Sequence, residues 1–168
     1  MKDLSDLPYR KGVGIMLLNQ ETKVFIGKRI DSTKAWQMPQ GGVDHKEDVE
    51  GAAKRELKEE TGITSIEIIK KSEKEFIYDL PDELLGKIWN GKYKGQKQIW
   101  FLVKFIGEES EINIKQKKAE FYDWRWTDPL ELPKLIVPFS DASTKAFVAT
   151  FLMVAFALNT SRSIENDN

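Results

Sequence analysis

The stretch RELKEETGI, Arg55 to Ile63, constrains this chain more than any other. Glu56, Glu59 and Glu60 recur at i, i+3 and i+4, so a helix stacks all three on one face. Like charges at those spacings destabilise a helix by roughly 0.2–0.5 kcal/mol per pair. The three also lie toward the C-terminal end, where the helix dipole disfavours negative charge. Gly62 is placed to stop the helix, as a C-terminal glycine does. Two arrangements offset the repulsion. One is a divalent cation, and hard carboxylate oxygens suit Mg²⁺ or Mn²⁺. The other is a solvated charged face, with Lys54 and Lys58 supplying ion pairs. Arg55 stands four residues before Glu59 and can hold that carboxylate. Ala52 and Ala53, one turn before Glu56, keep the helix face low and leave room for a ligand.

The remaining text predicts one α/β domain with a mixed sheet. GVGIMLLN (12–19) and KVFIGKRI (23–30) are apolar runs joined by QET, the pattern of a hairpin. WQMPQGG (36–42) reads as a loop. A helix is expected from about Glu47 to Thr61. IEIIKK (66–71), EFIYDL (75–80), QIWFLVKFIG (98–107) and FYDWRW (121–126) read as strands, the third buried on both faces. PDELLGKIWNGKYKGQ (81–96) reads as a long loop, and DPLELPKLIVPF as irregular. The apolar run at 146–158 is too short for a membrane span, which needs about 20 residues, so a buried C-terminal helix is expected, with a partner surface or a membrane contact as the other reading because its apolar residues go nearly all round. The domain is expected over 1–158, with 159–168 a disordered polar tail.

A net charge of −1 argues against nucleic-acid binding through a globally basic surface. The absence of cysteine excludes disulfides and thiolate metal sites and is compatible with a reducing cytoplasm. No apolar segment marks the N-terminus as a signal peptide. A cytoplasmic protein without membrane contact is the expectation.

Across GGVDHKEDVEGAAKRELKEETGI, Gly41 to Ile63, the chain resembles the Nudix hydrolases. Their signature runs Gly, five residues, Glu, seven residues, Arg-Glu-apolar-x-Glu-Glu-x-Gly-apolar. Gly41, Glu47, Arg55, Glu56, Leu57, Glu59, Glu60, Gly62 and Ile63 all match it. The resemblance implies an α/β/α sandwich and Mg²⁺- or Mn²⁺-dependent hydrolysis of a phosphorus anhydride, with two or three ions bound. It implies that Glu56, Glu59 and Glu60 ligate metal, that Glu47 and Arg55 orient the helix, and that a backbone carbonyl near Gln40–Gly41 also reaches a metal. The lone His45 falls in the variable part and reads as a surface residue.

YRKGVGIMLLN, WQMPQGG, GQKQIWF and EFYDWRW further resemble the bacterial RNA 5′-pyrophosphohydrolases, also described as dinucleoside polyphosphate hydrolases. By that resemblance Glu120 is a fourth metal-binding, catalytic carboxylate, with a solvent-exposed strand-edge charge as the other reading; it or a helix glutamate is the general base. Arg10 and Arg29 match phosphate- and nucleotide-contacting arginines, with surface ion pairs as the other reading of each. Tyr78 and Phe139 match aromatics flanking the nucleotide, with core packing as the other reading. Gln96 and Lys97 of GQKQ lie beside the active site by that resemblance, and the lysines and aromatics of KIWNGKYKGQK suit a single-stranded polyanion, with a solvated loop as the other reading. The substrate implied is the 5′ end of RNA or a dinucleoside polyphosphate. Ser140 departs from the subgroup, which carries a basic residue after the phenylalanine.

Overall fold

A computed structural model describes residues 3–31 and 35–136. Its centre is an eight-stranded mixed sheet in the order β3-β2-β1-β7-β5, with β4 paired to β1, β6 to β7 and β8 to β2. The strands are β1 (Tyr9–Leu18), β2 (Val24–Arg29), β3 (Trp36–Gln37), β4 (Gln40–Gly42), β5 (Ile66–Lys71), β6 (Phe76–Asp79), β7 (Gly95–Phe105) and β8 (Phe121–Thr127). The one long helix among the described residues, α1 (Val49–Thr61), lies between β4 and β5 in sequence. A single helical turn, α2 (Leu132–Leu135), follows β8.

β1 and β7 run parallel in register from Tyr9↔Gly95 to Leu18↔Lys104, and β7 is buried along nearly its whole length. Their alternation divides the core into two layers. Val13, Ile15 and Leu17 join Phe101, Val103 and Phe105 beneath Ala52, Ala53 and Leu57 of α1. On the opposite face Met16, Leu18, Trp100 and Leu102 pack with Met38, Leu132 and Leu135. The expected hairpin is present: Asn19 Oδ1 accepts from the backbone N–H of Glu21 and Lys23, and Thr22 turns at φ 58°.

Several boundaries differ from the sequence expectation. Residues 36–42 hold two short strands, β3 and β4, rather than a plain loop. β4 is fixed by Gly12↔Gly42, Val13↔Gly41 and Gly14↔Gln40, and Ile15 N–H donates to the Pro39 carbonyl at 2.9 Å. α1 begins at Val49, because the Asp48 side chain caps it by accepting from Gly51 N–H at 2.6 Å. It ends at Gly62, φ 74°, as the sequence predicts. The loop from Pro81 contains a left-handed run, Trp89 (φ 50°), Asn90 (φ 56°) and Gly91 (φ 66°). A non-glycine residue in that region costs about 1–2 kcal/mol, so its surroundings must hold it there. The expected C-terminal helix, the polar tail and Phe139 lie outside the described residues. No described helix is long and apolar enough to cross a membrane.

Candidate active site

Ala52, Ala53 and Leu57 lie against the sheet at 0, 3 and 0% exposure, so the two alanines do not leave room for a ligand, as the sequence suggests, but let the helix approach the sheet closely. That approach carries the polar face of α1 over β4. Arg55 joins the two elements. Its Nε donates to Glu47 Oε2 at 2.8 Å, and its Nη2 donates to Glu47 Oε1 at 2.9 Å and to the Gly42 carbonyl at 2.8 Å. Its Nη1 donates to Glu56 Oε1 at 2.9 Å and Glu59 Oε2 at 3.2 Å. One planar fork thus fixes the loop, the helix start and two of the three crowded carboxylates. These bonds, with the Asp44 backbone N–H, hold the Glu47 carboxyl down to about 2.

Glu56 lies in the space above Gly41, where a Cβ would stand 1.9 Å from its carboxyl carbon. Glu59 is the most open of the three. Glu60 is buried at 2% exposure; its Oε2 accepts from Gln40 N–H at 3.3 Å, and its Oε1 has no partner. Burial, then the charges of Glu120 and Glu56, push the Glu60 carboxyl well above the usual carboxylate range. Glu56 is raised by burial, against the pull of Arg55. Glu120, just before β8, is raised by burial against the pull of Arg29 and Arg10, with Asp31 and Glu59 adding to the rise. The fold therefore brings Glu120 into the field of the helix glutamates across some sixty residues of sequence. Among the described residues no three acidic or imidazole side chains already converge on one point as a ligand set; Arg55 holds Glu56 and Glu59 to its own guanidinium. The residues nonetheless fit a divalent cation. An orphaned buried carboxylate oxygen, three mutually repelling carboxyls and the bare backbone at Gly41 form a hard, oxygen-rich cradle.

The other candidates fall into two groups. Arg10 and Gln96 are paired neighbours on β1 and β7, and Tyr78 pairs with Gln96 from β6. The Tyr78 hydroxyl hydrogen-bonds Gln96 Oε1, and burial pushes that phenol up to about 12. Gln96 Nε2 is buried without a partner and lies over Gly12, where any side chain would collide with it. Lys97 points to the opposite face, its Nζ 5.4 Å from the Tyr9 ring centre. Arg29 donates to Asp31 through Nε at 2.7 Å and to Gln37 Oε1 through Nη1 at 2.6 Å. Its field still reaches Glu60 and Glu120. His45 is exposed.

Sequence reasoning missed a buried polar chain. Trp100 Nε1–H donates to Gln98 Oε1 at 3.2 Å, and Gln98 Nε2 donates to Gln40 Oε1 at 2.7 Å. The backbone of the same Gln40 holds Glu60. The signal was present: residues 96, 98 and 100 alternate onto one face of β7.

A family model for the NUDIX domain matches residues 8–147. The chain is similar to proteins named RNA pyrophosphohydrolase. The one from Sphingopyxis alaskensis is 53% identical over 154 residues, covering 90% of this chain and 98% of that protein. The one from Rhodopseudomonas palustris is 46% identical over 168 residues, covering 94% and 100%. The fold is shared with the E. coli dihydroneopterin triphosphate pyrophosphohydrolase at TM-score 0.67 and 22% identity, covering 85% of this chain and 99% of that one. It is shared with a C. elegans Ap4A hydrolase at TM-score 0.59 and 21% identity, covering 85% and 98%. The signature residues, their clustering on α1 and this match over most of the chain place it in one group: the chain belongs to the Nudix hydrolase family.

Proposed function

We propose that this protein is a metal-dependent RNA 5′-pyrophosphohydrolase, converting a 5′-triphosphate end to a monophosphate with release of pyrophosphate. The observation that carries the reading is similarity at about half identity, over nearly the full length, to proteins named for that activity. Glu56, Glu59, Glu60 and Glu120 hold two or three divalent cations, Mg²⁺ or Mn²⁺. When bound, these supply neutralising charge at the phosphoryl oxygens and polarise the anhydride. Arg55 keeps Glu56 and Glu59 in position. Water adds to phosphorus, the bond to the bridging oxygen breaks, and pyrophosphate leaves. Glu120 or a helix glutamate takes the proton from that water. Arg10 and Arg29 meet phosphate or base, and Gln96 lines the approach beside Arg10, whereas Lys97, on the opposite face of β7 against Tyr9, does not share that wall. Tyr78 flanks the first base, with Phe139 as its partner from outside the described residues. The enzyme acts in the cytoplasm of a bacterium, in mRNA decay.

The test uses RNA labelled at its 5′ β- and γ-phosphates, with diadenosine tetraphosphate in competition. Metal-dependent release of pyrophosphate with monophosphate RNA as product is expected. A thousandfold preference for the dinucleotide would move the function to dinucleoside polyphosphate hydrolysis. Replacing Glu59→Gln should abolish turnover while leaving the fold intact; unchanged turnover would refute the ligand set.

A further inference from the structure

Arg10 is a half-buried guanidinium with no hydrogen bond or ion pair to another described side chain. Such a group is held by packing or it wanders. Here one flank lies on the backbone of β4: a Cβ on Gly42 would stand 2.3 Å from an Arg10 terminal nitrogen and 2.8 Å from Cζ. The other contact is the Trp89 indole, whose ring centre lies 5.2 Å from Arg10 Cζ. Trp89 does not reach that place from relaxed backbone. It opens the left-handed run of the 81–94 loop, and Tyr93 meets its ring edge-on at 6.3 Å. Its carbonyl accepts from Lys92 N–H at 3.2 Å, which closes the turn. Arg10 shares one face of the sheet with Gln96, its paired neighbour on β7, and its charge is felt by both Tyr78 and Glu120.

We propose that Trp89 is a positioning residue: its indole holds the Arg10 guanidinium beside Gly42, leaving the N–H groups free for the polyphosphate of the substrate. The proposal rests on the reading that Arg10 meets that polyphosphate. A guanidinium stacks on an indole through its face and keeps its in-plane donors for a second partner. The strained loop is thereby assigned a task, because relaxing Trp89 would carry the ring away from Arg10. Lysine at position 10 would lose both the stack and the fork.

The experiment is a double-mutant cycle with a structural readout. Wild type, W89L, W89F, R10A and R10A/W89L are compared in turnover of triphosphate RNA, with thermal unfolding as the folding control. In parallel, the Arg10 Nε–Hε resonance, assigned by its loss in R10A, is followed by NMR in substrate-free protein. W89L should raise KM about fivefold with kcat little changed, the size of a half-exposed cation–π contact. W89F should recover most of that loss, and W89L should add nothing in the R10A background. The Arg10 Hε signal should show a ring-current shift that W89L removes. An equal W89L effect with and without Arg10, or an Hε signal indifferent to W89L, would overturn the proposal. R10A with unchanged KM would instead overturn the placement of Arg10 on the polyphosphate, even with the Hε shift intact.

Discussion

Gly41 and Glu56 compete for one volume: a Cβ on Gly41 would stand 1.9 Å from the Glu56 carboxyl carbon and 2.2 Å from its Oε1. Gly41 shows no left-handed backbone, so the requirement for glycine is one of close approach and not of conformation. The carboxylate of α1 rests directly on the backbone of β4, and this contact sets how near the helix glutamates lie to the loop.

Gly41→Ala follows from that contact. The added methyl must displace Glu56 or push β4 from β1, an overpacking cost of about 1–3 kcal/mol. The melting temperature should fall by about 2–4 °C per kcal/mol lost. Turnover should fall by about a hundredfold, the cost of misplacing a reacting group by about 1 Å. Wild-type kcat in the alanine variant would show that Glu56 has another position equally fit for the chemistry.

Stability in chelator should depend on pH in a direction set by the raised carboxyls. Glu60, Glu56 and Glu120 all titrate above their unfolded value of 4.5 in the folded chain. Between 4.5 and those raised values the folded state binds more protons than the unfolded state. Stability therefore falls as pH rises through that window. Glu47 works the other way: held down to about 2 by Arg55, its contribution is present above 4.5 and is lost as pH falls toward 2. Thermal unfolding in chelator should thus show a lower midpoint at pH 8 than at pH 5.5. Mg²⁺ should restore the loss, with a larger gain at pH 8, because cation binding to the folded state stabilises by mass action. Glu60→Gln should flatten the chelator profile. A midpoint that climbs with pH in chelator would contradict the carboxylate account.

Arg55→Lys tests the fork. One ammonium cannot reach Glu47, Glu56, Glu59 and the Gly42 carbonyl together. Hydrogen bonds to charged groups contribute about 1.5–3 kcal/mol each, so urea unfolding should register a loss of about 2–3 kcal/mol. Because Glu56 and Glu59 are then released from the side chain that orients them, kcat should fall more than KM rises. A variant as stable and as fast as wild type would reduce Arg55 to a surface ion pair.

What was legible in the sequence was local or periodic. α1, its stop at Gly62, the hairpin at Asn19–Lys23 and the buried β7 follow from caps, turn residues and alternation within a dozen neighbours. β3 and β4 were not legible: two- and three-residue strands carry no period, and they form because β1 and β2 offer edges for them. The glycines that look like loop punctuation at 41 and 42 are bare because Glu56 and Arg10 fill the space above them. Glu120 was reachable only by resemblance, since nothing near it in sequence points back to α1. Arg29 met the ion pair that had stood as its other reading, with Asp31 two residues on.

Gln98 offers the last prediction, since its role is visible only in the fold. It is 3% exposed and joins the Trp100 indole to the Gln40 side chain, while Gln40 N–H holds Glu60. Trp100 in turn covers Gly14, where a Cβ would stand 2.3 Å from its ring. Gln98→Leu keeps the volume and removes both bonds, taking the partner from the buried Trp100 indole N–H and from the half-buried Gln40 amide oxygen. A buried orphan costs about 1–3 kcal/mol and the half-buried oxygen is partly met by water, so a loss of about 1–3 kcal/mol is expected in urea. If the chain also aims the Gln40 backbone at Glu60, kcat at saturating Mg²⁺ should fall about tenfold, because the loop then holds Glu60 less firmly. Lost stability with kcat unchanged would confine the chain to structure; a fall in kcat beyond the stability loss would make Gln98 a positioning residue for Glu60.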